Sequence, residues 1–346
     1  MIDLLVAGAG PAGWTAAIAA ATRGLEVVVV EPREGTLDKA CGEGLMPATV
    51  EALARLGVHP HGRPFHGIRY LADGVEARGR FATPALGVRR TRLHEALEAR
   101  ATALGVRRVE GRVRDPRQDA DGVRAAGLRA RWMIAADGLH SPTRRALGLD
   151  RPVRAPLRRG LRRHVVCAPW ASTVDVHWGD DLEAYVTPVD EELVGVALLY
   201  GETARRRGGD GPSFDRLLGT FPALEAHLRD APSGSAPRGA GPFQARSRQR
   251  VAGRILLVGD AAGYVDALTG EGTKLAVLGA IAAVDALGSG RPEAWERSWR
   301  RLWLPYWGAT TGLLALSRPP ALRRALPRVL RRAPWLFDAA LRVLAR

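Results

Sequence analysis

Three glycines, Gly8, Gly10 and Gly13 in Gly8-Ala9-Gly10-Pro11-Ala12-Gly13, directly follow an apolar run, Ile2–Val6, that only Asp3 interrupts. This spacing suits the capture of a pyrophosphate by backbone groups. One glycine allows a tight turn, one lets main-chain N–H groups reach phosphate at a helix N-terminus, and one lets helix pack on strand. A second apolar run, Leu25–Val30, ends in Glu31-Pro32, and a carboxylate there can accept hydrogen bonds from an adenosine ribose. The elements that must position these groups are a strand, a glycine turn, the Ala-rich helix after Pro11 and a second strand. A strand before, a helix after and an acid about twenty residues on separate a dinucleotide site from a chance loop.

Two later segments repeat the step from strand to turn. Ala130–Ala136 runs into Asp137-Gly138-Leu139-His140-Ser141, and Arg254–Val258 runs into Gly259-Asp260-Ala261-Ala262-Gly263. Aspartates at the carboxyl edge of a sheet stand where α/β folds bind ligands, though plain turn aspartates would satisfy the same pattern. In this order the three motifs resemble the FAD-dependent oxidoreductases of the aromatic-hydroxylase and geranylgeranyl-reductase superfamily, over residues 1–290. The resemblance implies that Asp260 holds the ribitol or pyrophosphate and that Asp137 and Gly138 support the FAD pocket. It also implies that Arg90, opening Arg90-Thr91-Arg92-Leu93-His94-Glu95-Ala96-Leu97, approaches FAD; a solvated arginine is the plain alternative in so arginine-rich a chain.

Two loops are candidates for lining the flavin ring. Thr269-Gly270-Glu271-Gly272 precedes an Ala-rich helix expected over Lys274–Leu287, so its free N–H groups would face the negative charge of a reduced flavin. Lys39-Ala40-Cys41-Gly42-Glu43-Gly44-Leu45-Met46-Pro47 resembles the C-G-G loop of the reductase branch, with Cys41 a small polarizable neighbour and Gly42 and Gly44 giving backbone access. A buried filler role for Cys41 and a surface role for Glu43 are the alternatives. The candidate catalytic residues are therefore Cys41, Gly270 and Gly272. The candidate cofactor set is Gly8, Gly10, Ala12, Gly13, Glu31, Pro32, Cys41, Gly42, Arg90, Asp137, Gly138, Gly259, Asp260, Gly270, Glu271 and Gly272. Scattered histidines such as His59, His140, His164 and His177 offer no assignable base, and no metal-ligand spacing occurs.

Only one dinucleotide fingerprint is present, so NAD(P)H is expected to visit transiently as electron donor, unless a protein supplies the electrons. Two reactions fit: hydroxylation of an apolar aromatic or polyketide-like substrate by an FAD monooxygenase, and reduction of a C=C bond in a prenyl or lipid chain. The segment Gly259–Gly263 with Thr269–Gly272 is similar to the reductase branch, whereas aromatic hydroxylases show a G-D-A-A-H segment and halogenases a W-x-W-x-I-P motif that is missing here. Tyr185-Val186-Thr187-Pro188 stands where the reductase branch has Y-x-W-x-F-P and omits the tryptophan, which tilts the expectation to a monooxygenase. A non-catalytic FAD-binding module is the third class, disfavoured by the intact Asp137, Asp260 and glycine loop.

The expected fold is α/β: a Rossmann-like FAD-binding lobe (1–155 and 239–290), an antiparallel-sheet substrate lobe (62–88 and 156–238) and a helical, basic C-terminus (291–346). Leu157–Ala168, Ser172–Trp178, Leu182–Pro188 and Leu193–Leu199 read as strands, Phe65–Tyr70 and Val75–Phe81 as a hairpin, and Ser213–Leu228 as one helix capped by Ser213. At 346 residues the chain exceeds the usual single-domain size. Two cysteines, Cys41 and Cys167, exclude a disulfide framework and, with no leader-like N-terminus, point to the cytoplasm. A net charge of +15 with only Lys39 and Lys274 as lysines invites a nucleic-acid partner, but no nucleic-acid motif accompanies it, so none is expected. Residues 318–346 hold eight arginines against Asp338, with Leu322, Leu326, Val329, Leu330, Leu336, Leu341 and Leu344 at near-helical spacing, after an uncharged run that carries Trp303, Tyr306 and Trp307. Such helices either fold back over the substrate lobe, the favoured reading, or make peripheral contact with an anionic membrane. The substrate expected is small and apolar, and the oligomeric state stays open.

Overall fold

Apolar runs without alternation form strands buried on both faces, and the runs flanking the first glycine turn do so. The computed structural model describes residues 1–153, 157–206 and 212–345. The expected lobe boundary at 155/156 and the last tail residue, Arg346, lie outside the described residues. The first half of the chain runs through β1 (Ile2–Ala7), α1 (Pro11–Ala21), β2 (Val27–Glu31), β3 (Arg63–Ala72), β4 (Val75–Gly87), α2 (Arg90–Ala103), β5 (Arg107–Glu110) and β6 (Leu128–Ala135). The second half runs through β7 (Arg159–Val166), β8 (Val174–Gly179), β9 (Leu182–Asp190), β10 (Leu193–Tyr200), β11 (Ile255–Leu257), α3 (Gly272–Gly288), α4 (Ala294–Ser317), α5 (Pro320–Arg332) and α6 (Pro334–Ala345).

The centre of one eight-stranded sheet has the order β5-β2-β1-β6-β11, these five strands parallel, with Leu4 opposite both Val27 and Trp132 and Leu257 opposite Ala135, while short strands such as Val251–Ala252 beside β11 and Val123–Ala125 beside β6 join antiparallel. Its strand ends deliver the three turns that begin at Gly8, Ala136 and Val258 to one edge, as a doubly wound sheet requires. Small residues on α1, with Ala16, Ala17, Ala19 and Ala20 fully buried, let that helix lie close to the sheet. The Nε2 of His94 on α2 accepts from Trp14 Nε1 on α1 at 3.2 Å, and burial pushes the imidazole pKa down, keeping that nitrogen free to accept.

The second sheet carries β7-β10-β9-β8-β3-β4. Its pairings are antiparallel except where β8 joins β3 in parallel, Val174 opposite Ile68, which is the seam between the early hairpin and the later strands. Asp73 and Gly74, at φ 48° and 72°, turn the hairpin as a type I′ turn demands. The helix expected over Ser213–Leu228 is two, Phe214–Leu218 and Pro222–Leu228: Pro222 has no N–H for a continuing ladder and opens the second helix, while Ser213 Oγ caps the first by accepting from Arg216 N at 3.2 Å.

Tyr306 anchors α4, its hydroxyl accepting from the N–H groups of Val265 and Asp266 at 3.0 and 3.1 Å. Beyond it, α5 and α6 fold back over the hairpin. Phe337 and Leu341 are buried, the Phe337 ring lies 4.6 Å from Tyr70, and Asp338 Oδ1 accepts from Arg80 N at 2.8 Å. No described helix is long and apolar enough to cross a membrane. If α6 is part of the core, Phe337→Ala will lower stability by about 3–5 kcal/mol, whereas Trp335→Ala on its outer side will change it by less than about 0.5 kcal/mol. Equal urea midpoints for the two variants would mean that the helix is not packed as described.

Candidate functional site

At the end of β1, Gly8 has φ +101°, and a methyl group on Gly13 would lie 1.8 Å from the Gly8 carbonyl oxygen, so both positions need glycine for the turn and for helix contact. Gly10 differs: a methyl group there meets nothing within 4 Å, because its backbone faces an open cleft. Glu31 is buried, and its carboxylate accepts from Ala9 N at 2.9 Å and from Arg33 Nε at 2.6 Å. Burial alone would raise its pKa, but the hydrogen bonds from Arg33 and Ala9 outweigh that and hold it below the usual carboxylate range. Its stabilising contribution is therefore present above that range and lost as pH falls through the lowered value. Pro32, beside it, is half-buried.

Arg90 starts α2 and is buried, with its backbone N–H on Glu43 Oε1 at 2.8 Å and its Nη1 buried without a partner. The solvated-arginine alternative therefore falls. Burial pushes the guanidinium pKa down against the opposing pull of Cys41, Glu43 and Asp260. Asp260 is pushed up by burial and pulled back by Lys39, Arg90 and Arg144, while Lys39 is itself pushed down by burial. Asp137 Oδ2 accepts from Thr143 N at 3.0 Å, and its Oδ1 is buried with no partner. Arg144 ties the two aspartate turns together, donating to the carbonyls of Leu139 and Ala261 at 2.9 and 3.0 Å. Gly259, at φ +57°, brings its turn to within 2.9 Å of Ala12 Cβ, measured from where a side chain would start.

In the loop over Cys41, the Glu43 N–H donates to Cys41 Sγ at 3.3 Å, and burial pushes the thiol pKa up, more than Arg90 pulls it down. Glu43 is no surface carboxylate. It is buried at φ 60°, its Oε2 lies 2.8 Å from His164 Nε2, and His164 Nδ1 lies 2.9 Å from Ser235 Oγ. At the second loop, α3 begins at Gly272, two residues before Lys274, after Gly270 at φ +68°. The buried Glu271 carboxylate pairs with Lys274, whose Nζ also donates to the Leu344 carbonyl at 3.0 Å, and Gly270 and Gly272 on either side of it line the cleft.

A cavity of about 260 Å³ brings Gly10, Ala12, Cys41, Gly42, Arg90, Gly138, Asp260, Gly270 and Gly272 together. Gly8, Gly13 and Gly259 shape the turns behind it, and Glu31, Pro32, Asp137 and Glu271 stand outside its lining. From the loops the cavity continues between apolar walls such as Phe65, Ile68, Val176 and Leu268 to Leu313 of α4 and Leu344 of α6. These residues fit FAD, with an open glycine cradle and an unpaired buried guanidinium nitrogen for phosphate, and behind the cavity the Asp137 turn keeps an unpaired carboxylate oxygen. Sequence reasoning left out Lys39, Arg144, His164 and Ser235. Glu43 carried a signal in its place between two glycines; His164 carried none, since its partner is 121 residues away.

Fold and site together define a flavoprotein of the doubly wound kind. Residues 1–290 match the family model described as FAD binding domain, and the chain belongs to that family. It is an FAD-dependent oxidoreductase. It is 28% identical to the menaquinone reductase of Mycolicibacterium smegmatis, over 99% of this chain and 91% of the relative. It is 31% identical to digeranylgeranylglycerophospholipid reductase 1 of Methanopyrus kandleri, over 82% of this chain and 81% of that relative. A flavoprotein/dehydrogenase from Cytophaga hutchinsonii shares the fold, with a TM-score of 0.85 at 18% identity, covering 99% of this chain and 92% of that one.

Gly10→Ala will give a folded protein with little flavin, because its methyl group enters only the cleft, whereas Gly13→Ala will fail to fold. Flavin absorbance per protein and circular dichroism separate the two, and a flavin-replete Gly10→Ala protein would contradict the cradle. In a Cys167→Ser background, Cys41 will react with iodoacetamide only at pH values above the range of an ordinary thiol; a rate profile matching a free thiol would refute the raised pKa.

Proposed function

We propose that this oxidoreductase reduces a C=C bond in the prenyl chain of a lipid or quinone, with NAD(P)H as the reductant. The observation that carries this reading is Cys41, a thiol whose pKa burial pushes up, in the loop that lines a cavity with apolar walls around Phe65, Ile68, Val176 and Leu268. Tyr185 donates to the Leu268 carbonyl at 2.9 Å and Thr187 to the Gly42 carbonyl at 2.8 Å. No histidine is among the described residues lining the cavity, so no imidazole is offered as the base that would activate a phenol for hydroxylation. The names of the menaquinone and digeranylgeranylglycerophospholipid reductases support the same choice over the monooxygenase expected from the missing tryptophan.

In this reading Gly10, Arg90 and Lys39 would hold the pyrophosphate, Asp260 would bind the ribitol side, and Glu31 would serve the ribose. FAD held there would supply the chemistry of hydride transfer from a nicotinamide to one alkene carbon. The N–H groups at the start of α3, with Gly270 before them, favour negative charge where the ring sits. Cys41 Sγ gives its proton to the other alkene carbon, and the Glu43 N–H bonded to that sulfur steadies the thiolate left behind. The walls around Phe65 and Ile68 keep water from the reacting carbons.

Anaerobic incubation with NADPH and polyprenyl quinones or lipids will give a product two hydrogens heavier. Incorporation of ¹⁸O from labelled dioxygen, with no anaerobic product, would overturn the reading in favour of hydroxylation. Cys41→Ala will leave flavin reduction by NADPH unchanged and slow the alkene step about a hundredfold or more; equal rates in both half-reactions would remove Cys41 from the chemistry.

A further inference from the structure

The inner sides of α5 and α6 cover the hairpin, but the outer sides are not the all-polar surface that such a cover usually presents. Among the described residues, eight of the ten large apolar side chains exposed anywhere in the chain fall between Leu304 and Val343. On α4, Leu304 and Trp307 share an uncharged stripe with Thr311 and Ala315, spaced i, i+3, i+7 and i+11. Leu322 and Val329 stand two turns apart on one side of α5, and Trp335, 66% exposed, opens α6. Arginines are interleaved with them. Arg323 is tied to Asp180 and Arg324 lies 3.4 Å from Asp73, but Arg318, Arg328, Arg331, Arg332 and Arg342 pair with no acid among the described residues.

Exposed leucine, valine and tryptophan alternating with free guanidinium groups is the composition of helices that lie in a lipid interface. We infer that the outer faces of α4, α5 and α6 form a docking surface for an anionic phospholipid bilayer. A second copy of the chain is the poorer occupant, because apposed copies of this face would bring unpaired arginines against one another. A bilayer meets both needs: acyl chains receive the apolar side chains, and phosphate groups receive the arginines. The placement also connects to the cavity, since Leu313 of α4 and Leu344 of α6 are among its lining residues. Two of the three helices of this surface thus also line the cavity.

Flotation of the holoenzyme with vesicles of phosphatidylcholine and phosphatidylglycerol tests this, with phosphatidylcholine vesicles as the comparison. The wild type will float with the anionic vesicles, partly release at high salt, and float weakly with the neutral ones. The Leu322→Ser/Val329→Ser/Trp335→Ser variant will stop floating while keeping its FAD content and melting temperature. The Arg328→Gln/Arg331→Gln/Arg332→Gln variant will lower the partition coefficient roughly a hundredfold. A wild type that stays with the soluble fraction, or variants that float as well as it does, would overturn the inference. So would a dimer in sedimentation that the serine variant abolishes in place of vesicle binding, which would assign the face to a second copy. Vesicle binding needs no turnover, so a failed reductase assay leaves this measurement standing.

Discussion

The nucleotide end of the molecule depends on one close approach, between the backbone at Gly13 and the carbonyl oxygen of Gly8, where a methyl group would have to sit at 1.8 Å. That contact presses the first turn of α1 against the end of β1. It also aims the Ala9 N–H at Glu31, which couples the tips of β1 and β2. The N-terminal N–H groups of α1 are thereby left facing the cleft, with the helix dipole behind them. The same economy of side chain recurs at Gly259 against Ala12, so two of the three turns reach α1 only because one partner lacks a side chain.

Around this cradle the protein carries charge that it does not fully satisfy by itself. Arg90 keeps an unpaired buried nitrogen, Asp137 an unpaired oxygen, and Lys39 and Asp260 are each pushed toward their neutral forms by burial while pulling each other back. Unpaired buried polar groups cost stability, so a ligand that satisfies them binds the folded state and stabilises it. The ring end is built differently. Its loop polar groups are used up on one another, with Glu43 held between Arg90 N and His164, which leaves a rigid wall and a thiol instead of a set of free acids and bases.

What could be read from the chain was what local pattern determines. Glycines at fixed spacing, aspartates at the ends of apolar strands, Arg90 at a helix start and the amphipathic tail all depend on neighbours a few residues away. Pairings between distant segments were not legible: Glu43 read equally well as a surface residue, and His164 had no local mark. The parallel join of β3 to β8 likewise has no signature, because a parallel register is set by how two units meet and not by either sequence. The split of the helix after Ser213 was visible in Gly219 and Pro222, and reading through them made one helix of two. Thr187, where the reductase branch has tryptophan, had no partner visible in the sequence, and its hydroxyl donates to the Gly42 carbonyl 145 residues away.

The seam between β3 and β8 also sets an order of events during synthesis. Residues 68–71 must wait for residues 174–177 before the floor of the channel exists, and β11 reaches β6 only after residue 255 has emerged. Loop closure over such separations is slow, and the waiting hairpin presents an unpaired strand edge meanwhile. Tyr70, on that hairpin, receives its Phe337 cover only after residue 337 has emerged. Between the synthesis of Tyr70 and that of Phe337 the nascent protein therefore carries this apolar wall bare, a stage at which chaperone contact would matter more for this chain than for one whose sheets close in sequence order.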